Sequence, residues 1–551
     1  MLCLLTLANA QAQIVLPRGA DPLRLQERQR PQPSVHPEGP AMRLEETLPA
    51  PPPGAEDLRF SVRDVVVDGS TIYDTEALRP LWQDLLGHEI SLADLYGVAA
   101  EITRKYRNDG YILSRAIIPA QSIEDGIAHI EVIEGYIGRV TVTGETSRES
   151  LLRGYADKIA ALRPLRIRDL ERYLLLIDDL PGVTATSTLS PLIGEPGASE
   201  LVIELSHKMT DEFGTLDNRG TRYIGPLQGT AGARLNSGLG FYELSQLRLI
   251  NTPANFKELR AYDFAETLPI DNEGSILGLA INQAWAHPGF TLKPLDVSSA
   301  ATVTSVTLSH PAIRLRAENL TLQTSFVATD LHTNLFGETQ TLLSDRIRTL
   351  NVGAVYDFVD SWSGVNVFDV TLSQGLNILD ARTTGSPNLS RADGHSDFEK
   401  LTGDLQRVQS LGGDWSLLGA VTWQYGFQSL LASEQFGIGG VNFVRAYDPA
   451  ELTGDSGVAG KLELQYGQRS TDFGLDNYQL YTYYDAGRVW DHQVLPGEFA
   501  PASATAAGFG VRFTINDNIS GSLEIAKPLT RNVATEGTRD PRGFFSLVAR
   551  F

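Results

Sequence analysis

Thiols are almost absent: the 551 residues include a single cysteine, Cys3. That excludes a disulfide framework and any cysteine-based zinc or iron–sulfur centre. The nine histidines are scattered, none paired at a metal-ligand spacing, so no metal is expected. No Gly-rich phosphate loop precedes a helix, so no nucleotide or other cofactor is expected either. Basic residues are in deficit, 46 Lys and Arg against 67 Asp and Glu, for a net charge of −21. A nucleic-acid partner, which calls for a basic surface, is therefore excluded. Acidic residues exceed basic ones on both sides of residue 207, so there is no acidic tail. Runs of 18 apolar residues are missing too, which excludes membrane-spanning helices. A membrane β-barrel passes that test, because its strands alternate and average to moderate hydropathy. Gly454-Asp455-Ser456-Gly457 copies a serine-protease nucleophile motif, but no histidine sits in the matching context. A serine nucleophile needs a base oriented by a third group, so no enzymatic activity is expected.

What is present falls into five stretches. Leu2–Ala8 is mostly apolar and is followed by Ala8-Asn9-Ala10 and Ala10-Gln11-Ala12, which fit a small-residue cleavage site. Residues 1–12 are accordingly expected to be a signal peptide, although a basic n-region is missing. Residues 13–57 carry ten prolines and make an extended tether rather than a core. Within it, Asp21-Pro22-Leu23-Arg24-Leu25-Gln26-Glu27-Arg28-Gln29-Arg30 predicts a short helix, capped by Asp21, opened by Pro22 and stopped by Pro31. Its basic residues Arg24, Arg28 and Arg30 suit an acidic cavity; a solvated linker is the alternative.

From Phe60 to His207, strands alternate with helices. Phe60–Val67 predicts a strand, Asp74–Leu86 and Ser91–Asn108 helices, and Tyr111–Pro119 and Ile127–Glu134 two further strands. The β-α-α-β-β order then repeats at an offset of 75 residues: Arg139–Gly144 follows Val65–Gly69, and Pro164–Leu170 follows Glu89–Leu95. The second copy continues with a helix at Ile167–Leu180 and strands at Val183–Leu192 and Glu200–Ser206. Two tandem small α+β domains are expected, over 58–135 and 136–207.

From Lys208 onward helical periodicity vanishes, and alternating segments of roughly ten residues separate turn clusters, the pattern of a transmembrane barrel. In Ala507–Asn516 the apolar set is Phe509, Val511, Phe513 and Ile515, leaving Gly508, Gly510, Arg512 and Thr514 for the lumen. Gly460–Gln468 sets Leu462, Leu464 and Tyr466 against Lys461, Glu463 and Gln465. At about 21 residues per strand with its connection, residues 208–551 hold about 16 antiparallel strands. A soluble propeller or an adhesin stalk is the competing architecture.

The paired modules, the first ending in Val132-Ile-Glu-Gly-Tyr-Ile-Gly-Arg-Val140, resemble polypeptide-transport-associated (POTRA) domains. Phe436–Asp448 and Leu452–Gly457 resemble the long sixth extracellular loop of polypeptide-transporting barrels, whose signature is Val-Arg-Gly-Tyr or Val-Arg-Gly-Phe. Here it reads Val444-Arg445-Ala446-Tyr447, flanked by Gly439 and Gly440. Ala446 stands in place of the family's Gly, a departure that bears on the backbone turn there and leaves the Arg untouched. Tyr483-Tyr484-Asp485-Ala486-Gly487 resembles the aromatic-x-Asp-x-Gly strand motif. Alternation points Asp485 into the lumen, and Gly487 leaves room for a loop tip. Leu216–Gly220 matches the family's first barrel hairpin, a weak point because Asn and Gly are simply good turn residues. The terminal Phe551 resembles the aromatic that the barrel-assembly machinery reads.

The whole architecture resembles the outer-membrane transporters of two-partner (type V) secretion: signal peptide, plug helix and linker, two POTRA modules, then the barrel at 208–551. The resemblance implies an outer-membrane location with the POTRA domains in the periplasm. It implies lipid and the assembly machinery as partners, along with a secreted exoprotein of adhesin, haemolysin or contact-dependent toxin type. It further implies that Arg24, Arg28 and Arg30 plug the pore. Arg445 would meet Asp485, so that the loop holds or releases the barrel while substrate threads outward. An insertase for other outer-membrane proteins and a passive porin are the rival readings.

Overall fold

The structure, a computed structural model, describes residues 16–24, 51–123, 125–144, 148–469, 474–494 and 501–551. The expected signal peptide, Arg28 and Arg30 lie outside the described residues.

The first small domain runs β1 (Arg59–Ser61), β2 (Asp64–Asp68), α1 (Thr75–Leu78), β3 (Glu89–Ser91), α2 (Leu92–Asn108), β4 (Arg115–Ile117) and β5 (Ile127–Ile133). A capping box starts α2. The Ser91 hydroxyl accepts from the Asp94 N–H at 3.2 Å, and the Asp94 carboxylate accepts from the Ser91 N–H at 2.8 Å. Leu95, Val98, Ala99, Ile102 and Tyr106 form the buried stripe of α2, which packs on Ala128, Ile130 and Val132 of β5.

Three expectations need correction here. The strand over Phe60–Val67 is two strands: β1 pairs with β3, and β2 pairs with β5. Between them the chain changes partners, Val62 donating to the His88 carbonyl and Arg63 to that of Gly126. The helix over Asp74–Leu86 is the single turn α1 followed by 3-10 turns, because Pro80 has no N–H and disfavours helix at Arg79. The strand over Tyr111–Pro119 is only β4, since Tyr111–Ser114 closes a turn.

The second domain runs β6 (Tyr136–Gly144), α3 (Glu149–Ala160), α4 (Ile167–Asp178), β7 (Val183–Pro191) and β8 (Ala198–His207). Its sheet order β6-β8-β7 repeats β2-β5-β4. In each, the first strand lies parallel to the last, which the intervening helices make possible, and the hairpin partner is antiparallel. The duplication read from two short matches is thus a duplication of topology.

Sixteen antiparallel strands then close a barrel. The first half is β9 (Thr210–Asp217), β10 (Gln228–Asn236), β11 (Leu244–Asn251), β12 (Leu259–Pro269), β13 (Ile276–Ala286), β14 (Ser298–Arg314), β15 (Glu318–Leu335) and β16 (Gln340–Val359). It continues through β17 (Gly364–Gly375), β18 (Glu399–Gly412) and β19 (Trp415–Gly426). After β19 a long loop carries the small pair β20 (Phe436–Ile438) and β21 (Leu452–Gly454). The wall resumes with β22 (Ser456–Arg469), β23 (Asn477–Trp490), β24 (Ala502–Asn516), β25 (Ile519–Pro528) and β26 (Arg542–Arg550). β26 pairs with β9, and the Phe551 N–H donates to the Glu212 carbonyl at 2.9 Å, completing the seam. Leu322, Val370, Leu372, Leu462, Phe509 and Leu523 are exposed on the outside, the apolar band that alternation predicts.

The second domain is clamped to the near end of the barrel. Arg314 forks onto both carboxylate oxygens of Asp179 at 2.6 Å, Lys158 meets Glu273 at 2.6 Å, and Arg172 donates to the carbonyls of Pro311 and Glu273. Tyr242, in the turn between β10 and β11, is buried in that domain's core cluster. Since β9 leaves this end, the loops after β9, β17, β19 and β23 lie at the opposite end.

Candidate functional site: a loop locked into the barrel

The loop between β19 and β22 folds back into the lumen. Two glycines make its turn: Gly439 has φ +111°, and a Cβ there would sit 2.1 Å from the Asp448 carbonyl oxygen, while Gly440 has φ +92°. At the tip, the left-handed residue is Val444, φ 58°, and not Ala446. The alanine in place of the family's glycine therefore faces no left-handed demand; it is fully buried against the wall.

The tip seats Arg445 beside Asp485, as the motif resemblance implies. Nε and Nη2 donate to the two carboxylate oxygens of Asp485 at 2.9 Å each, and the backbone N–H of Arg445 adds a third bond at 3.1 Å. Arg445 is 4% and Asp485 0% exposed, so the pair is sealed from water. Nη1 of Arg445 donates to Glu463 at 2.5 Å, and the guanidinium lies 3.4 Å from the Tyr483 ring centroid. Gly487 opens the space: a Cβ there would lie 3.0 Å from Ile438 Cδ1 and 3.2 Å from Val444 Cγ2. Tyr447 pins the far side of the tip, its hydroxyl donating to the Arg531 carbonyl at 3.2 Å and accepting from the Arg531 N–H.

The pair belongs to a larger cluster that sequence reasoning missed. Glu463 also takes Arg512 at 2.7 Å. Arg219 donates to Glu524 at 2.8 Å and to the Arg445 carbonyl at 3.1 Å, and Tyr481 and Tyr483 donate their hydroxyls to Glu524. Three guanidiniums (Arg219, Arg445, Arg512) thus interlock with three carboxylates (Glu463, Asp485, Glu524), beside Lys461, which lies opposite Asp485 on β22. Two signals pointed to it. Glu463 is a lumen-facing acid by alternation, and Arg219 sits in the Leu216–Gly220 stretch, which reads as a mere turn. A second ion pair ties neighbouring loops at the mouth: Arg391 meets Asp455 at 2.7 Å, both essentially unexposed. Asp455 is thus held by an arginine of a neighbouring loop, a structural contact in the Gly454–Gly457 motif.

Only the start of the predicted plug helix is described. Asp21 caps it, accepting from the Leu23 N–H at 2.9 Å. Arg24 is buried in the lumen, where it donates to the carbonyl oxygens of Ala432 at 2.8 Å and Gln435 at 3.2 Å. Two of its hydrogen bonds thus go to carbonyls of the inward loop, and the Asp21 carboxylate lies close enough to interact with it electrostatically. Leu23 packs on Ala301, Val303 and Leu331 of the wall.

Comparison with known proteins places this geometry. The model for "Haemolysin secretion/activation protein ShlB/FhaC/HecB" matches residues 197–513, and that for "POTRA domain, ShlB-type" matches residues 60–135. The heme/hemopexin transporter protein HuxB of Haemophilus influenzae (strain 86-028NP) is 24% identical over 92% of this chain and 90% of its own. The outer membrane transporter CdiB of Dickeya dadantii (strain 3937) is 22% identical over 79% of this chain and 77% of its own. In fold, the solved structure of CdiB from Escherichia coli matches with a TM-score of 0.78 at 19% identity, covering 98% of this chain and 100% of that one. BamA from Haemophilus ducreyi lacking POTRA domains 1-3 matches with 0.52 at 13% identity, covering 89% and 99%. With more than half of its length matched by one family model, the chain belongs to the haemolysin secretion/activation proteins (ShlB/FhaC/HecB), outer-membrane transporters of two-partner secretion whose POTRA domains lie in the periplasm.

Proposed function

We propose that the protein is a dedicated export pore, with no chemical step of its own, for one partner exoprotein, and that it works by two internal closures. The N-terminal segment from Asp21 to Arg30 plugs the lumen at rest. The loop carrying Arg445, Tyr447, Gly439 and Gly440 is locked to Asp485 and Gly487 and shapes the passage that remains. In the periplasm the two POTRA domains take up unfolded client by strand addition, the edges on offer being β2 and β4 in the first sheet and β6 and β7 in the second. Backbone hydrogen bonds there supply affinity with little demand on sequence. Phe551 at the end of β26 serves the barrel-assembly machinery, and the apolar band serves outer-membrane lipid. Folding of the client outside the cell supplies direction, since a folded chain does not slip back.

The observation that carries this reading is the buried Arg445–Asp485 fork inside a closed barrel of this family. The test compares extracellular and outer-membrane proteomes with and without the protein. Loss of one or two large exoproteins from outside, with other barrels unchanged, is expected and identifies the client. Broad loss of outer-membrane barrels would instead mean an insertase, and no change in either would mean a passive pore.

A further inference from the structure

The lumen has two unlike walls. Against β22–β25 the space is filled by the inward loop, and its charges are consumed by one another in the cluster of Arg445, Asp485, Glu463, Arg512, Glu524 and Arg219. Across from it lies a cavity of about 600 Å³, bounded on one side by the loop (Asn442, Phe443) and the plug segment (Leu23, Arg24). Its other side is the lumen face of β14–β19, a carpet of hydroxyls and amides that includes Thr307, Ser325, Asn351, Thr371, Thr402 and Thr422. Lys400 on that wall is paired with Glu434 at 2.7 Å, and Asp404 adds a carboxylate among the described residues that line the cavity.

We propose that the exported chain travels along this wall of hydroxyls and amides, as an extended segment lying between β14–β19 and a loop that stays seated throughout. The proposal rests on the export reading above and specifies its path. Two physical arguments carry it. First, hydroxyls and amides offer donors and acceptors to any extended backbone yet hold no side chain by charge, and passage needs sites that bind weakly enough to release. Second, when the plug leaves, the space it frees adjoins this cavity, because Leu23 and Arg24 line both, and uncovers the apolar patch of Ala301, Val303 and Leu331. Clearing the opposite wall instead requires breaking the interlocked ion pairs of Arg445 with Asp485 and Glu463, which are buried, and that is costly. At about 3.3 Å per residue, a membrane band of about 25 Å holds about eight residues of extended chain in this lane.

The test uses the full-length protein in its own outer membrane and the client identified by the proteome comparison, fused to a folded domain that stalls it in transit. A photo-crosslinking residue is placed in turn at Ser325, Thr371 and Thr402 on the proposed wall, and at Gln465 and Gln479 on the wall behind the loop. Crosslinked client at the first three and none above background at the last two is expected. Crosslinks at Gln465 and Gln479, or at neither set while client still reaches the outside, overturn the path. A client that never leaves the cell even with the unmodified protein overturns the export reading itself. Single-cysteine variants at the same positions, read as slower thiol alkylation when client is stalled, distinguish the same two walls wherever the photoprobe disturbs assembly.

Discussion

Removing Arg445 and Asp485 separately and then together tests whether the loop is held by charge balance or by packing. Arg445→Ala strands Asp485, which is unexposed and whose guanidinium partner in the structure is Arg445. Glu463 is spared, because Arg512 remains at 2.7 Å. Leaving one partner of a buried pair uncompensated costs about 3–5 kcal/mol. Asp485→Ala has the opposite sign: Arg445 must share Glu463 with Arg512, leaving a buried excess positive charge, again at about 3–5 kcal/mol. The double variant removes both charges at once. It keeps Glu463–Arg512 and Glu524–Arg219 intact, so it returns the site to the parent's net charge and loses mainly contacts. The expected coupling is favourable by about 1.5–7 kcal/mol, the range measured for close charge pairs. The assay is thermal unfolding of the three variants and the parent in detergent, read by the heat-dependent shift in gel mobility. Each single variant should unfold well below the parent and the double variant between them. Strictly additive losses would refute the charge-balance account and leave packing by Tyr447, Val444 and Ile438 as what seats the loop. Secretion of the client should fail in both single variants while the barrel still reaches the membrane; normal secretion by both would refute the lock.

Gly487→Val should push the loop tip, since even a Cβ there lies 3.0 Å from Ile438 Cδ1, and overpacking of this kind costs about 1–3 kcal/mol. Single-channel recordings should then show a less stable closed level, whereas an unchanged trace would mean the tip is not confined there. Deleting residues 14–31 should raise single-channel conductance by clearing the lumen; unchanged conductance would mean that the segment is no plug. In the first POTRA domain, partial burial works to raise the Glu134 pKa. Hydrogen bonds from the Thr71 hydroxyl and N–H, the Tyr106 hydroxyl and the Ile72 N–H outweigh it and hold the carboxylate below its ordinary value. A depressed pKa stabilises the fold above the unfolded value of about 4.5 and loses that contribution as pH falls through the folded one. Hydrogen exchange at residues 70–73 of the full chain should therefore accelerate in acid relative to Glu134→Gln, and parallel profiles for the two would refute the linkage.

The sequence was most legible where a residue's surroundings are set by its own strand. Alternation alone puts Phe509, Leu462 and Glu463 on their faces, and the capping box at Ser91 fixes the start of α2 without help from the rest of the chain. It was least legible where the surroundings come from strands hundreds of residues apart. Arg219, at the end of β9, reaches Glu524 on β25 because the barrel closes β26 onto β9, a neighbour relation that no local pattern carries. Ala446 is a second such case. The alanine in place of the family's glycine put the backbone turn at 446 in question, but the left-handed residue of the tip is Val444, two residues earlier. The short helix at α1 failed for a reason visible in the sequence: Pro80 weighs more than the apolar spacing around it.

In the mechanism proposed above, the contacts at the two closures bear on the order in which they would release. In the N-terminal segment Arg24 donates to two loop carbonyls, Arg18 donates to the Gln435 side-chain oxygen at 3.3 Å, and the Gly19 carbonyl accepts from the Thr221 hydroxyl at 2.7 Å. Bonds of a cation to neutral acceptors are worth about 1.5–3 kcal/mol each, and a neutral one about 1 kcal/mol. The loop tip is held by three bonds to one carboxylate, a fourth to another, and a ring face. A client entering from the periplasm shifts only those equilibria for which it binds the two states unequally. It competes directly for the wall the plug covers, where every backbone bond it forms counts against the plug, whereas replacing Arg445 at Asp485 demands a cationic side chain delivered to one buried site. In the proposed mechanism, plug release with the loop in place is therefore the expected response to client, and crosslinks at Thr371 and Thr402 with none at Gln465 and Gln479 would bear it out.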